Sequence, residues 1–500
     1  MKKYIYFMTN EPQWFDIAVK LYDNNIAEPY LWMGNWHHYK KAKDKFGDEV
    51  VEYFDFFKFT SHKIIDTDYK SNFNDFFTSN EYFIAKDRVL KMMDRLDDLS
   101  SLSRLDREAI FNLTVVWILN KFEKQLPDAL ISVENPHTHI QYTLFQICNF
   151  YKIPCVKFTS WTFLPLLICE YVNSGKPFLH NIKINKNYLN EFSNFIDQYI
   201  NNISSKSKSY KAHHIEIERL QSKQIKWKLS KVKEFFKDYL RKFKSLESYT
   251  NSLEYNPLNP FKISPLRKSK IINKRRIQLK KEINSVKITK LNTNDKFVYF
   301  GLHYEPERTT LPDGGRFHDQ FLALVKLREF VPDEIKIYVK EHPSMFYKST
   351  WGYRGRSPLF YRLINNLNNV SIVDTNIKTM DLMNSSLFTS TISGTLGLES
   401  AVLGKKSLLF GEHIWYQGCP NTYNWTENLL YDEFIKKETF NEISVKDFFK
   451  DKLANQSILG LLNSRTNIRF NKFIDSEFRN NQTENIYKVL ECFFKKSQFK

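Results

Sequence analysis

Lys296–Leu302 reads KFVYFGL and Ile335–Pro343 reads IKIYVKEHP, and these two stretches decide the fold. Ile335, Ile337 and Val339 alternate with Lys336, Tyr338 and Lys340, as the residues of a half-buried strand do. The second strand stops in Lys340, Glu341, His342 and Pro343, where a plain turn would carry Gly, Asn or Ser. Between the two strands, FHDQFLALVKLREF (Phe317–Phe330) has the spacing of a helix. Downstream come a helix over Pro358–Leu367, the strand NVSIV, the short helix TMDLMNSS, a strand over Leu387–Thr391, a helix over Thr395–Gly404 and a strand over Lys406–Phe410. Five strands alternating with four helices on short connections predict a doubly wound parallel sheet. Ligands of such sheets bind beyond the carboxyl ends of the strands. The Lys-Glu-His-Pro cluster falls there.

The N-terminal part repeats the pattern. Tyr4–Met8 is a strand candidate, Gln13–Asn24 an amphipathic helix, and VEYFDFF and Asp128–Glu134 further strands. Thr138–Tyr151 reads as a helix and Ile153–Phe158 as the strand that completes a strand–helix–strand unit. Five hundred residues are too many for one core, so two α/β domains are expected, both Rossmann-type and doubly wound, with a cleft between them. The sequence divides into an N-terminal Rossmann-like domain (1–172), a basic helical insertion or linker (173–292), a C-terminal Rossmann-like domain (293–420) and closing helices (421–500) that cross back to brace the two.

The chain carries a net charge of +18, and one segment supplies nearly all of it. Residues 201–290 hold 24 lysines and arginines against seven acidic residues. Within them, Ile225, Leu229, Val232, Phe236, Phe243 and Leu246 fall on helical spacing among Lys and Arg, an amphipathic basic helix. Such a helix, with Trp227, Phe235 and Tyr239 interleaved, suits an anionic membrane surface through 223–246, and equally suits packing on a domain with a solvated basic face. An Asn/Pro-rich linker, YNPLNPFKISPLRK, follows. Clustered basic residues with aromatics also suit nucleic acid, yet no nucleic-acid motif accompanies them, and no nucleic-acid partner is expected. The five cysteines form no CxxC pair, which points to reduced thiols in a cytoplasmic protein. No run of 18 apolar residues occurs.

Three clusters in the C-terminal half could carry chemistry. HYEPERTTLPDGG places His303, Glu305, Glu307 and Arg308 directly after a strand. Lys340, Glu341 and His342 close another. SGTLGLE (Ser393–Glu399) is a strand-to-helix turn, where Gly394 lets a ligand approach the backbone and Ser393 and Thr395 offer hydroxyls beside a helix N-terminus. Unpaired N–H groups and the positive end of the helix dipole suit a phosphate there, and Glu399, one turn further in, could face a ribose hydroxyl. Each cluster also has a structural reading, as a cap, a satisfied turn or a core histidine.

With FGLHYEPERTT, DGG, DQ, YVKEHP and TISGTLGLESAVLGKKSLLFG followed by WY, the stretch 297–420 resembles the capsule and surface-polysaccharide biosynthesis proteins, a GT-B group that includes the capsular Kdo transferases. PDALISVENPHTH followed by IPCV is a weaker echo in the N-terminal half. The resemblance implies a metal-independent glycosyltransferase. It would take a sugar from a CMP-Kdo-like or UDP-sugar donor to a growing polysaccharide or a lipid-linked acceptor, with no cofactor because the nucleotide-sugar is a substrate. It implies His342 and Lys340 at the donor phosphate with Ser393, Gly394 and Thr395. Glu399, His303 and Glu305 would lie at the nucleotide and ribose, and Glu307 and Arg308 in the cleft. Ser400 stands where the family usually has Ala. The catalytic base is expected from the other domain, where Glu134, His137 and His139 follow a strand and precede a helix. Asp66-Thr67-Asp68 is a short match of a kind common by chance, and no metal is assigned to it. The enzyme would be cytoplasmic, peripheral on the inner face of the plasma membrane if the basic helix docks there. Two other enzyme readings share the layout, a CDP-glycerol-type polymer phosphotransferase and a nonhydrolysing sugar-nucleotide epimerase.

Overall fold

A computed structural model describes residues 1–7, 12–34, 36–53, 74–96, 102–205, 265–286, 289–347, 350–462, 470 and 473–496 of the chain. Most of the basic amphipathic segment, including 223–246, and the Asp66–Asp68 match lie outside the described residues. The described residues form two compact units, one of 1–193 with those from 450 onward, the other of 194–205 with those between 265 and 449.

The strands are β1 (Lys2–Phe7), β2 (Ala27–Gly34), β3 (Val51–Tyr53), β4 (Ala129–Ser132), β5 (Cys155–Ser160), β6 (Leu166–Tyr171) and β7 (Phe297–Gly301). They continue with β8 (Lys336–Lys340), β9 (Val370–Ile372), β10 (Thr389–Thr391), β11 (Ser407–Leu409), β12 (Thr422–Asn424) and β13 (Ile458–Leu459).

In the N-terminal unit the sheet order is β13-β6-β5-β4-β1-β2-β3. β5 through β3 run parallel, and β6 and β13 add antiparallel edges. The strand order reverses between β1 and β4, the kind of switch point at which open α/β sheets bind their ligands. The helix Pro12–Asp23 buries Trp14, Ile17, Ala18 and Leu21, spaced so that all four fall on one face. The C-terminal helix Ser476–Lys496 returns to this unit and places Ile486, Val489, Leu490 and Phe493 in the same core as Tyr4, Trp14 and Ile131.

The second unit repeats the order as β12-β11-β10-β7-β8-β9, parallel throughout. Its switch point lies between β7 and β10. Val298 and Phe300 point to one face, with Ile337, Val339 and Leu324, while Phe297 and Tyr299 point to the other, with Tyr338, Leu382 and Leu396. Both faces are covered, which is why FVYF is apolar without interruption. The helix Pro265–Ser285 starts inside the stretch read as a linker, and its Leu279 and Ile283 belong to this core. β12 is a sixth strand that the sequence pattern did not suggest. Among the described residues no helix is long and apolar enough to cross a membrane.

Phe493 is fully buried between Tyr171, Phe178 and Phe494. Phe493→Ala is expected to lower the unfolding free energy of the N-terminal unit by about 3–5 kcal/mol in a denaturant titration, and a loss below about 1 kcal/mol would contradict this placement.

Candidate functional site

At the end of β7 the chain turns outward through Leu302 and His303. The His303 ring is buried, and its Nε2 accepts the backbone N–H of Ser393 at 3.1 Å and lies 3.0 Å from the Thr391 hydroxyl. An imidazole nitrogen that accepts an N–H carries no proton, so His303 is the neutral Nδ1–H tautomer. Burial, reinforced by His342 and Arg356 nearby, lowers its pKa to about 3, which keeps it neutral at every physiological pH. His303 therefore fastens the end of β7 to the turn after β10, across the switch point. Gly394 lies against it: a Cβ there would approach His303 Nε2 to 3.2 Å and the Thr391 hydroxyl to 3.1 Å.

That turn leads into the helix Thr395–Val402, and Gly394 caps it without a side-chain hydrogen bond. Ser393 is already committed, its amide to His303 and its hydroxyl to the Thr309 carbonyl at 2.6 Å. Gly394 and Thr395 are half-buried, and the amides of Thr395 and Leu396 belong to a first turn that no helical carbonyl precedes. The buried Tyr416 hydroxyl donates to the Gly394 carbonyl from the other side. Glu399 is buried below Thr395 and hydrogen-bonds its hydroxyl; burial raises the Glu399 pKa to about 8. It is a neutral carboxylic acid at pH 7, and places no negative charge behind the turn.

β8 ends in the KEHP cluster, and the three side chains part ways. Lys340 turns its ammonium onto the Ile377 carbonyl and the Thr379 hydroxyl, and burial pulls its pKa down to about 8. Glu341 is almost wholly buried. Its carboxylate accepts the His342 amide at 2.7 Å, the Tyr361 hydroxyl at 3.0 Å and Arg356 Nε at 2.9 Å. Arg356 also reaches the His303 carbonyl through Nη2 at 2.7 Å. His342 remains half-buried, with Nδ1 accepting the Ser344 amide at 3.2 Å as the cap of the turn at Pro343–Phe346. The Tyr304 ring is 6.1 Å from its own.

Glu305 is buried and accepts Gln320 Nε2 at 3.0 Å and the Glu307 amide at 3.3 Å. Glu307 accepts the Thr309 hydroxyl at 3.0 Å, and Arg308 lies 3.7 Å from Asp313. The structure thus brings His303, His342 and the Ser393–Thr395 turn to one sheet end. It directs Lys340 to the loop at Ile377 and places Glu305 in a buried contact with Gln320. Arg356 escapes sequence reasoning altogether, because it sits 15 residues beyond Glu341 in an irregular stretch.

In the N-terminal unit, β4 runs into Glu134 and His137 at the β1/β4 switch point. Their Nδ1 and Oε1 are 3.8 Å apart, and both residues are half-buried. Nδ1 of His137 also lies 3.0 Å from the Asn135 carbonyl, which can only accept, so Nδ1 carries the hydrogen and Nε2 is the basic nitrogen. The next helix, His139–Phe150, is closed by a capping box between Thr138 and Gln141. His139 is buried in that helix.

No protein-family model and no curated protein matches this chain. Among solved structures, the Thermosulfurimonas dismutans KpsC beta Kdo 2,7 transferase aligns at 15% identity over 46% of this chain, with a TM-score of 0.24. The alignment spans 63% of that protein's chain. The beta Kdo 2,4 transferase of the same KpsC aligns at 12% identity, over 69% of this chain and 88% of that one, with a TM-score of 0.25. UDP-GlcNAc 2-epimerase from Methanocaldococcus jannaschii aligns at 13% identity, over 94% and 98%, with a TM-score of 0.21.

Glu399 yields a stability prediction. Its pKa in the folded chain lies above the ordinary 4.5, so folding favours the protonated form. Its stabilising contribution is complete below about pH 4.5 and is lost as pH rises toward 8. Glu399→Gln should therefore melt higher than the wild type at pH 8.5, by the equivalent of a few kcal/mol, with the difference closing near pH 4. Equal melting temperatures at pH 8.5 would contradict the neutral assignment.

Proposed function

We propose that this protein is a glycosyltransferase that takes a sugar from a nucleotide-activated donor held by the C-terminal unit. The observation that carries this reading is that the ends of the neighbouring strands β10, β7 and β8 bring together a half-buried helix N-terminal turn (Gly394 and Thr395), buried His303 and a half-buried imidazole (His342). Phosphate oxygens of the donor accept the free first-turn amides, and His342 donates to the same phosphate. As the bond between the sugar's anomeric carbon and the phosphate oxygen breaks, negative charge grows on the leaving nucleotide. Fixed donors aimed at that oxygen lower the barrier. Neutral Glu399 holds the Thr395 hydroxyl from below and adds no repulsion. In this reading it supports the turn and does not touch the ribose.

The acceptor is a saccharide, either the growing polysaccharide or a lipid-linked one. Its hydroxyl attacks the anomeric carbon and gives up its proton. Within the N-terminal unit, Glu134 and His137 are side chains with the chemistry of a general base. The donor is CMP-activated, with Kdo as the sugar, or UDP-activated.

A thermal-shift series with CMP, CDP, UDP, GDP and their sugar conjugates tests the reading. One nucleotide should raise the melting temperature selectively, since saturation at 100 times Kd stabilises by about 2.7 kcal/mol, and His342→Ala should remove the effect while leaving the unliganded melting temperature near that of the wild type. Stabilisation by none of them would defeat the donor-site reading.

A further inference from the structure

Arg356 has no part in the reading so far, yet it is the best-connected side chain at the sheet end. Its side chain is 3% exposed and that of Glu341 is fully buried. Every nitrogen of its guanidinium has an acceptor. Nε and Nη2 lie 2.9 and 3.4 Å from the two Glu341 oxygens, Nη2 also reaches the His303 carbonyl at 2.7 Å, and Nη1 meets the Gly355 carbonyl at 3.3 Å. The Phe360 ring stacks on it at 4.6 Å. Gly355, just before it, packs so closely on Glu305 that a Cβ would come within 2.3 Å of that backbone. The chain is drawn in until the guanidinium reaches the end of β7.

Stability alone is a weak reason for such a group, because a buried ion pair is often no more stabilising than apolar residues of the same shape. What the pair fixes is geometry. One carboxylate oxygen of Glu341 holds both the amide of His342 and Nη2 of Arg356, and that same nitrogen holds the carbonyl of His303. The two histidines come from adjacent strands, β8 and β7, and a planar fork is what sets their main chains against each other.

We propose that Arg356 is a positioning residue of the donor site, locking the strand ends that carry His303 and His342 into a single arrangement; this rests on the donor-site reading above. Arg356 does not touch the nucleotide. It determines where His342 points and, through His303, where the Ser393–Thr395 turn stands.

The test uses the full chain and three variants: Arg356→Met, Glu341→Gln, and the two combined. Arg356→Met alone leaves Glu341 buried without its cation and should melt well below the wild type. Glu341→Gln alone likewise leaves the Arg356 cation buried without its anion, so the combined variant, which removes both charges, should melt above either single variant. If Arg356→Met fails to fold, the combined variant carries the comparison. Measured by calorimetry, the combined variant should bind the stabilising nucleotide at least about tenfold more weakly than Glu341→Gln. Its His342 and His303 ring proton–carbon resonances, assigned with His342→Gln and His303→Gln, should also move or broaden relative to Glu341→Gln. Affinity and both resonances equal to those of Glu341→Gln would overturn the proposal and leave Arg356 a packing residue. If the wild type binds none of the nucleotides, the donor reading fails by itself. The resonances still decide: displaced histidine signals support positioning, and unmoved ones refute it.

Discussion

Glu341 ends β8 inside the protein, and the C-terminal unit is arranged to answer its charge. A buried carboxylate without partners is too costly to keep, so its lone pairs must be met by donors. Those donors come from the next residue's amide, from Tyr361 in the following helix and from Arg356. Each draws a different piece of chain to the sheet end. The amide holds His342 at the strand terminus, Tyr361 ties down the helix Pro358–Asn365, and Arg356 brings in the irregular stretch before that helix and reaches β7. His303 then carries the connection on to β10 and the glycine turn. A single buried charge thus organises three strand ends.

The polar residues gathered there divide by exposure. Glu341, Arg356, His303, Ser393, Lys340 and Glu399 are buried or committed to main-chain partners. His303 and Glu399 are neutral at pH 7, each because burial penalises its charged form. His342, Gly394 and Thr395 keep half-buried faces. The buried set builds a rigid frame of low net charge, and the half-buried set is what a ligand can meet. This division is the physical basis for assigning an anion to the edge, since the helix dipole and the first-turn amides face no competing carboxylate behind them.

Much of this was legible in the sequence. The alternation in Ile335–Lys340 and the strand–helix rhythm from Lys296 to Phe410 predict the second sheet, because parallel strands covered on both faces leave apolar runs between helices. β2 was not legible. It contains Glu28 and Pro29, and a proline inside a run argues against a strand. The sheet accommodates it by a register shift between Tyr4 and Ile5, opposite Pro29 and Leu31. The candidate site was legible as residue types at strand ends, since His303, His342 and Ser393–Thr395 all lie where a doubly wound sheet places its crevice. Their division of labour was not. Nothing in KEHP distinguishes a lysine that bonds a carbonyl near Ile377 from one that faces a phosphate, and SGTLGLE does not reveal that Glu399 points inward. Arg356 was invisible for the same reason: long-range burial decides its role, and only folding brings it to Glu341.

A crystal structure of the full chain with its most stabilising nucleotide tests the central claim most directly. The account predicts a phosphate oxygen within about 3.2 Å of the Thr395 amide, with His342 donating to the same phosphate and His303 untouched by ligand. A nucleotide bound away from the β7/β10 switch point, with Gly394–Leu396 and His342 making no contact to it, would contradict the account.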